Sequence, residues 1–213
     1  MSDLLGFFDR VVLLNLDRRR DRLQATYAEL NRVGWPFKWP ERFSAVDSRA
    51  VSPPEGWTIA SGGWGCLQSH RQVLERAIMD HTDRLLIIED DICLRDDFRI
   101  RVSEFLATVP PKWDAIMLGG EHMEPPDKQS VPARCTNTQR THCYALSAKF
   151  MQVVYKAWSD PRNFNQHCDW IMAPMLRHVN AYCPRPTFLA GQSGKWSDIV
   201  TVGDKAPCFY EGL

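Results

Sequence analysis

Arg84-Leu85-Leu86-Ile87-Ile88-Glu89-Asp90-Asp91-Ile92-Cys93-Leu94 is the stretch whose reading decides the fold. Leu85 to Ile88 are consecutive aliphatics with no polar interruption, which reads as a short strand buried on both faces. Three acids follow where such a strand leaves its sheet. Side by side they repel one another, and unless one is protonated they need a cation, a ring of donors or bulk water. A divalent ion bridging to a phosphorylated ligand meets that need, because hard Mg²⁺ or Mn²⁺ prefers one or two carboxylates plus phosphate oxygens. A solvated acidic turn meets it as well.

Working outward, Asp9-Arg10-Val11-Val12-Leu13-Leu14-Asn15-Leu16 is a second apolar run, closed by the charged cluster Asp17 to Arg22. From about Arg20 the pattern turns helical, with Leu23, Tyr27 and Leu30 on one stripe, until Gly34 and Pro36 stop it. A strand feeding a helix through a charged turn opens an α/β unit, and ligands bind at such turns at the carboxyl edge of a parallel sheet. Asp17, Arg18, Asp21 and Arg22 stand at spacings that allow surface ion pairs among themselves. Arg18 and Arg22 also share a helical face, where two guanidiniums could clamp phosphate or stack on a base.

Trp35 to Asp47 reads as an extended segment with a strand, and Val51 to Gly63 as a loop. Gly62-Gly63-Trp64-Gly65 lacks the following Gly-Lys-Ser/Thr of a phosphate-binding P-loop. A helix is expected from about Gly65, with Ser69 and His70 in first turns that favour an anion. Arg95 to Phe98 starts a further helix that Pro110-Pro111 ends, and Trp113 to Gly120 is a strand entering a glycine turn. Glu121 to Arg140 is polar and reads as a loop or lid. Thr141 to Ser147 is a strand, Ser147 caps the next helix, and Asp169-Trp170-Ile171-Met172 belongs to a helix ending near His178.

The 213 residues are enough for one domain with a substantial core. Lysine plus arginine and aspartate plus glutamate balance at 26 each, so no global field favours nucleic acid or an anionic membrane. No run approaches the roughly 18 apolar residues of a transmembrane helix, and the start of the chain is too charged for a signal peptide. Seven scattered cysteines without a CxxC pair suggest reduced thiols and a cytoplasmic protein. His142-Cys143 and His167-Cys168 lack the paired spacings of a structural zinc site and read as buried small residues.

Taken together these segments resemble glycosyltransferase family 25, which includes lipooligosaccharide and procollagen galactosyltransferases. Val12 to Arg22 is similar to its opening strand and NLxxRxxR turn, and Ala45-Val46-Asp47 to its AVD segment. Gly65 to His70 is similar to its GCxxSH helix start, and Ile87 to Asp91 to its ILEDD motif. Cys143 to Ser147 resembles a later xxYxxS strand, and Ser197-Asp198-Ile199 a closing SDI. The fragments keep the family's order across nearly the whole chain.

The resemblance implies a GT-A type fold, a Rossmann-like α/β/α sandwich with a mixed, mostly parallel sheet. It places a nucleotide-sugar half at about 1–120 and an acceptor half with a lid loop at about 121–213. A UDP-sugar donor, Mn²⁺ or Mg²⁺, and inversion at the anomeric carbon come with it. Nucleotide contacts carry over to Asn15, Arg18, Arg22, Ala45 and Asp47, with Ser69 and His70 beside the nucleotide or diphosphate. Glu89 and Asp91 take the place of the metal motif, with Asp90 beside the bound donor. Gln192 and Asp198 are candidates to complete the metal or diphosphate shell, since Phe188 stands near the place where some relatives carry a histidine. Asp169 is the expected base that takes the acceptor's proton, an aspartate that could equally be a helix N-cap.

The expected acceptor is a glycan, a protein or another hydroxyl-bearing molecule, with no stable membrane insertion; a nucleic-acid acceptor has no support from net charge. A binding module of the same fold without turnover is the alternative function. A phosphohydrolase would want an aspartate nucleophile with a lysine nearby, and Leu85 to Leu94 offers none.

Overall fold

A computed structural model describes residues 4–127 and 129–193. Asp198, and the SDI segment with it, lies outside the described residues. In chain order the elements are β1 (Arg10–Asn15), α1 (Arg20–Arg32), β2 (Glu41–Ser44), α2 (Ser61–Met79), β3 (Arg84–Glu89), β4 (Ile92–Leu94) and α3 (Phe98–Thr108). There follow β5 (Ala115–Met117), β6 (Glu121–Glu124), β7 (Ala133–Arg134), β8 (Asn137–Gln139), β9 (Cys143–Ser147) and α4 (Ala148–Ser159). Last come α5 (Cys168–Met172), β10 (Ala181–Cys183) and β11 (Ala190–Gln192).

Seven strands form one sheet in the order β2-β1-β3-β9-β5-β10-β7. The pairs β1–β2, β1–β3 and β5–β10 are parallel, while β9 lies antiparallel between β3 and β5, and β7 is antiparallel to β10. This is the mixed, mostly parallel sheet expected of a GT-A type sandwich. The aliphatic runs of β1 and β3 serve both of its faces. Val12, Leu14, Leu85 and Ile87 pack with Leu67, Leu74, Phe150 and Trp158 of α2 and α4. The alternate residues Val11, Leu13, Leu86 and Ile88 pack with Leu30, Phe98 and Val102 of α1 and α3. Leu85 to Ile88 are all fully buried, each worth about 1.5–3 kcal/mol relative to exposure.

Two expectations need correction. Helix α2 begins at Ser61, so Gly62 and Gly63 are helical rather than part of a loop, and Gly65 lies inside the helix rather than at its start. Their cost to the helix, about 1 kcal/mol each, is accepted for close approach: a Cβ on Gly65 would stand 2.7 Å from Val46 O, and one on Gly63 3.0 Å from the His167 ring. Ser69 and His70 therefore lie two turns inside the helix, where their N–H groups serve the helix and only their side chains can meet a ligand. The segment from Glu121 to Arg140 is likewise not a plain loop. It holds the β6–β8 ladder, bulged between His122 and Glu124, and β7 at the sheet edge. Its residues are mostly polar because these strands cover little core, so the apolar signal of a strand is missing.

Ser147 caps α4 by accepting from Phe150 N, as expected. Cys66, Cys135, Cys143, Cys168 and Cys183 are free. Cys93 is disulfide-bonded, against the expectation of thiols throughout. Among the described residues no helix is long and apolar enough to cross a membrane.

Candidate active site

The parallel strands end side by side. Leu14 pairs with Glu89, and Asn15 with Ser44. The chain leaving β3 turns sharply at Asp90 and Asp91 and returns as β4, which pairs antiparallel with β11 in a register that sets Ile92 against Gln192. A cleft of about 650 Å³, counting solvent at its mouth, opens over these strand ends. Asn15, Arg18, Arg22, Ala45, Ser69, His70, Glu89, Asp90, Asp91 and Gln192 all line it.

One wall is a continuous polar chain. Arg42 Nε donates to Asn15 Oδ1 (3.0 Å), and Asn15 Nδ2 donates to Asp90 Oδ2 (2.7 Å). Arg22 bonds Asp90 at 2.9 Å and Asp91 at 2.7 Å. Gln192 Nε2 donates to Asp91 Oδ2 (3.1 Å), and Thr26 Oγ1 to Asp90 O (2.9 Å). Asp91 Oδ1 is buried and has no partner. Burial pushes Asp91 up to about 7 against the pull of Arg22, and Glu89 and Asp90 add like-charge repulsion. Asp90 is also raised, by burial first, with Arg22 and Asn15 opposing.

The opposite wall treats the third acid differently. His70 Nε2 lies 3.1 Å from Glu89 Oε1, and Thr141 Oγ1 donates to the same oxygen at 2.8 Å. Burial works to raise Glu89, but the bonds from His70 and Thr141 outweigh it and hold the carboxyl at about 2. His70 Nδ1 lies 3.0 Å from the Tyr144 hydroxyl. Ser69 shapes the rim: its Oγ donates to Gly65 O (2.7 Å) and accepts from Val46 N (2.8 Å), pinning the turn after Ala45 against α2.

The arginines do not pair as their spacing suggested. Arg18 meets Asp47 at 3.0 Å, Arg19 meets Asp21, Arg42 meets Asp17, and Arg22 turns inward to the acids. Asp47, held well below the usual carboxylate range by Arg49 and then Arg18, fixes Arg18 rather than lining the cleft itself. Asp169 is not among the lining residues. It is not the N-cap of α5 either, a place taken by His167. Its Oδ2 accepts from Arg140 N at 3.0 Å, one residue before Thr141. Arg140 has a φ of 74°, a left-handed backbone that is uncommon outside glycine. Phe188 is buried and stacked on His122, centroids 4.6 Å apart, so it belongs to the core.

Arg42, Thr26, Thr141, Tyr144 and Cys66 were not anticipated. Arg42 and Thr141 lie on strands or at their ends, and only strand register reveals which cleft residue each reaches. Cys66 lies about one turn before Ser69 and His70 on α2 and reaches the same cleft.

The chain is 28% identical over 145 residues to the human "Inactive glycosyltransferase 25 family member 3", covering 58% of this chain and 24% of that protein. It is 24% identical over 155 residues to mouse "Procollagen galactosyltransferase 2", covering 63% and 24%. It thus spans about a quarter of the length of these curated relatives. A solved glycosyltransferase involved in glycosylation of the major capsid of PBCV-1 superposes with a TM-score of 0.46 at 12% identity, covering 83% of each chain. The profile described as "Glycosyltransferase family 25 (LPS biosynthesis protein)" matches residues 8–153. That stretch takes in both β1 and the acid turn after β3, and the chain belongs to glycosyltransferase family 25.

Proposed function

We propose that this chain is a metal-dependent, inverting glycosyltransferase that moves a hexose, galactose or glucose, from a UDP-sugar to a hydroxyl acceptor. The observation that carries this reading is the bare Asp91 Oδ1, buried in a cleft where three acids meet and Arg22 bonds two of them. An oxygen so placed suits Mn²⁺ or Mg²⁺, which Asp91 would hold together with Glu89, whose Oε1 is already committed and whose Oε2 is the available donor. When bound, such an ion supplies Lewis acidity toward a departing diphosphate.

The protein's own groups do the rest. Arg18 and Arg22 bind and neutralise the diphosphate. Asn15, committed to Asp90 and to Arg19 O, orients the acid turn more than it touches the nucleotide. The Ala45–Ser48 wall, held by Ser69, takes the nucleoside, and Gln192 fixes Asp91. Inversion is one in-line displacement, so a single carboxylate must take the acceptor's proton from the far side. Asp169 fills that role, on the acceptor half beyond Thr141. The procollagen galactosyltransferase relatives favour galactose as the sugar. A cytoplasmic location draws support from the five free cysteines and none from Cys93.

A second reading, a nucleotide-sugar or carbohydrate binding module without turnover, is favoured by the relatives named inactive. A screen of UDP-sugars for hydrolysis and transfer with and without Mn²⁺ separates the two. Turnover should require the ion and fall on the order of 10²–10³-fold in Asp91→Ala. Donor binding without turnover would select the module, and neither binding nor turnover would end both readings. Asp169→Asn should keep donor binding and lose roughly 10²–10⁴-fold in transfer; unchanged transfer removes Asp169 from the mechanism.

A further inference from the structure

We propose that Cys66, His70 and Cys168 form a second metal site, for a thiophilic ion such as Zn²⁺, set into the wall behind the cleft. Cys66 and His70 are four residues apart on α2 and so share one face of the helix. Cys168 opens α5. One ligand atom from each of the three lies within 4.8 Å of the other two.

The sulfur geometry points to an ion. Cys66 Sγ and Cys168 Sγ are 3.7 Å apart. Two thiolates at about 2.3 Å from a tetrahedral zinc stand about 3.8 Å apart, whereas a disulfide requires about 2.05 Å. The pair is therefore already spaced for a shared ion and too far apart for a bond. Cys168 and His70 are buried, while Cys66 reaches the cleft and gives the ion a way in.

The surroundings suit a ligating histidine, which ordinarily keeps one ring nitrogen on a carboxylate and gives the other to the metal. Glu89 is that carboxylate, at Nε2. The bond given up is the one between Nδ1 and the Tyr144 hydroxyl. That hydroxyl lies within electrostatic reach of both sulfurs, and it can donate to a thiolate once the two thiols have released their protons to solvent. Nitrogen and sulfur donors select Zn²⁺ over the Mg²⁺ or Mn²⁺ suited to the oxygens of Asp91. An ion here would tie α2 to the first turn of α5, next to Asp169. Sequence spacing hides the site, because Cys168 is remote from the Cys66–His70 pair in the chain.

The test is spectroscopic and does not depend on transferase activity. Anaerobic titration of the whole chain with Co²⁺ should give near-ultraviolet thiolate-to-cobalt absorption that saturates at a single ion per chain and is displaced by Zn²⁺. The band should disappear in Cys66→Ser and in Cys168→Ser and persist in Cys143→Ala. Should the serine variants fail to fold, alkylation of the wild type followed by mass spectrometry decides. Zn²⁺ should slow modification of Cys66 and Cys168 by at least about tenfold relative to Cys135, as ligation withholds the thiolates. No thiolate band in the wild type, a band that survives replacement of both cysteines, or no protection by Zn²⁺ overturns the site. Loss of Mn²⁺-dependent turnover, by contrast, would bear only on the transferase reading.

Discussion

Glu89 and Asp91 are two residues apart in one acidic run, yet the protein treats them as opposites. Glu89 faces α2 and the start of β9, takes hydrogen bonds from His70 and Thr141, and is held at about 2. Asp91 faces α1 and β11, shares Arg22 with Asp90, keeps one oxygen bare, and is pushed to about 7. Both are shielded from water, so burial alone does not separate them. The difference is in surroundings: His70 and Thr141 both serve one oxygen of Glu89, whereas Asp91 has the neutral Gln192 amide and a guanidinium it shares with Asp90, whose charge repels its own. One acid is anionic throughout the neutral range, and the other titrates within it.

The largest disturbance of this contrast should come from Arg22→Met, which strands Asp90 and Asp91 together. Loss of a buried partner costs about 3–5 kcal/mol, read by urea unfolding at pH 8 without added metal. The loss should shrink at pH 5, where Asp91 is protonated; an equal loss at both values would deny that Asp91 is charged at the higher one.

Next in size, Asp91→Asn and Glu89→Gln should change stability with opposite signs. The folded value of Asp91 lies above its ordinary 3.8, so its contribution is full below that value and is lost as pH rises through about 7. Asp91→Asn should therefore gain on the order of 1–2 kcal/mol over wild type at pH 8 in metal-free buffer. The folded value of Glu89 lies below its ordinary 4.5, so its contribution is present above that value and fades as pH falls toward 2. Glu89→Gln should lose roughly 1–3 kcal/mol at pH 7, with the gap closing in acid. Matching signs would erase the distinction between the two walls.

The smallest effect serves as a reference for burial without charged neighbours. His122 is lowered to about 4 by burial as its one cause. Its stability contribution should fall as pH drops from about 6.5 toward 4, by less than about 1 kcal/mol given its partial exposure, and His122→Gln should flatten that slope in a thermal melt series.

Much of this was legible in the chain. The unbroken aliphatics of β1 and β3 announced strands, that of β3 buried on both faces, and the acids after Ile88 marked the carboxyl edge where the cleft opens. What escaped reading followed from close approach and from pairing. Gly62 and Gly63 argue for a loop and Gly65 for a helix start, until the His167 ring is seen against Gly63 and Val46 O against Gly65. The strands between Glu121 and Arg140 bury too little apolar surface to declare themselves. The partners of Arg18 and Arg22 depend on where Asp47, Asp90 and Asp91 lie in space, which helical spacing does not encode.

The pairing of β4 with β11 carries a consequence for how the protein is made. On a ribosome the acid turn emerges early, and Gln192, which steadies Asp91, is added about a hundred residues later. The central sheet can be assembled once β10 has appeared, but the mouth of the cleft cannot. A nascent chain would thus close its central sheet before Gln192 can reach Asp91, and the cleft would be the later of the two to take its form.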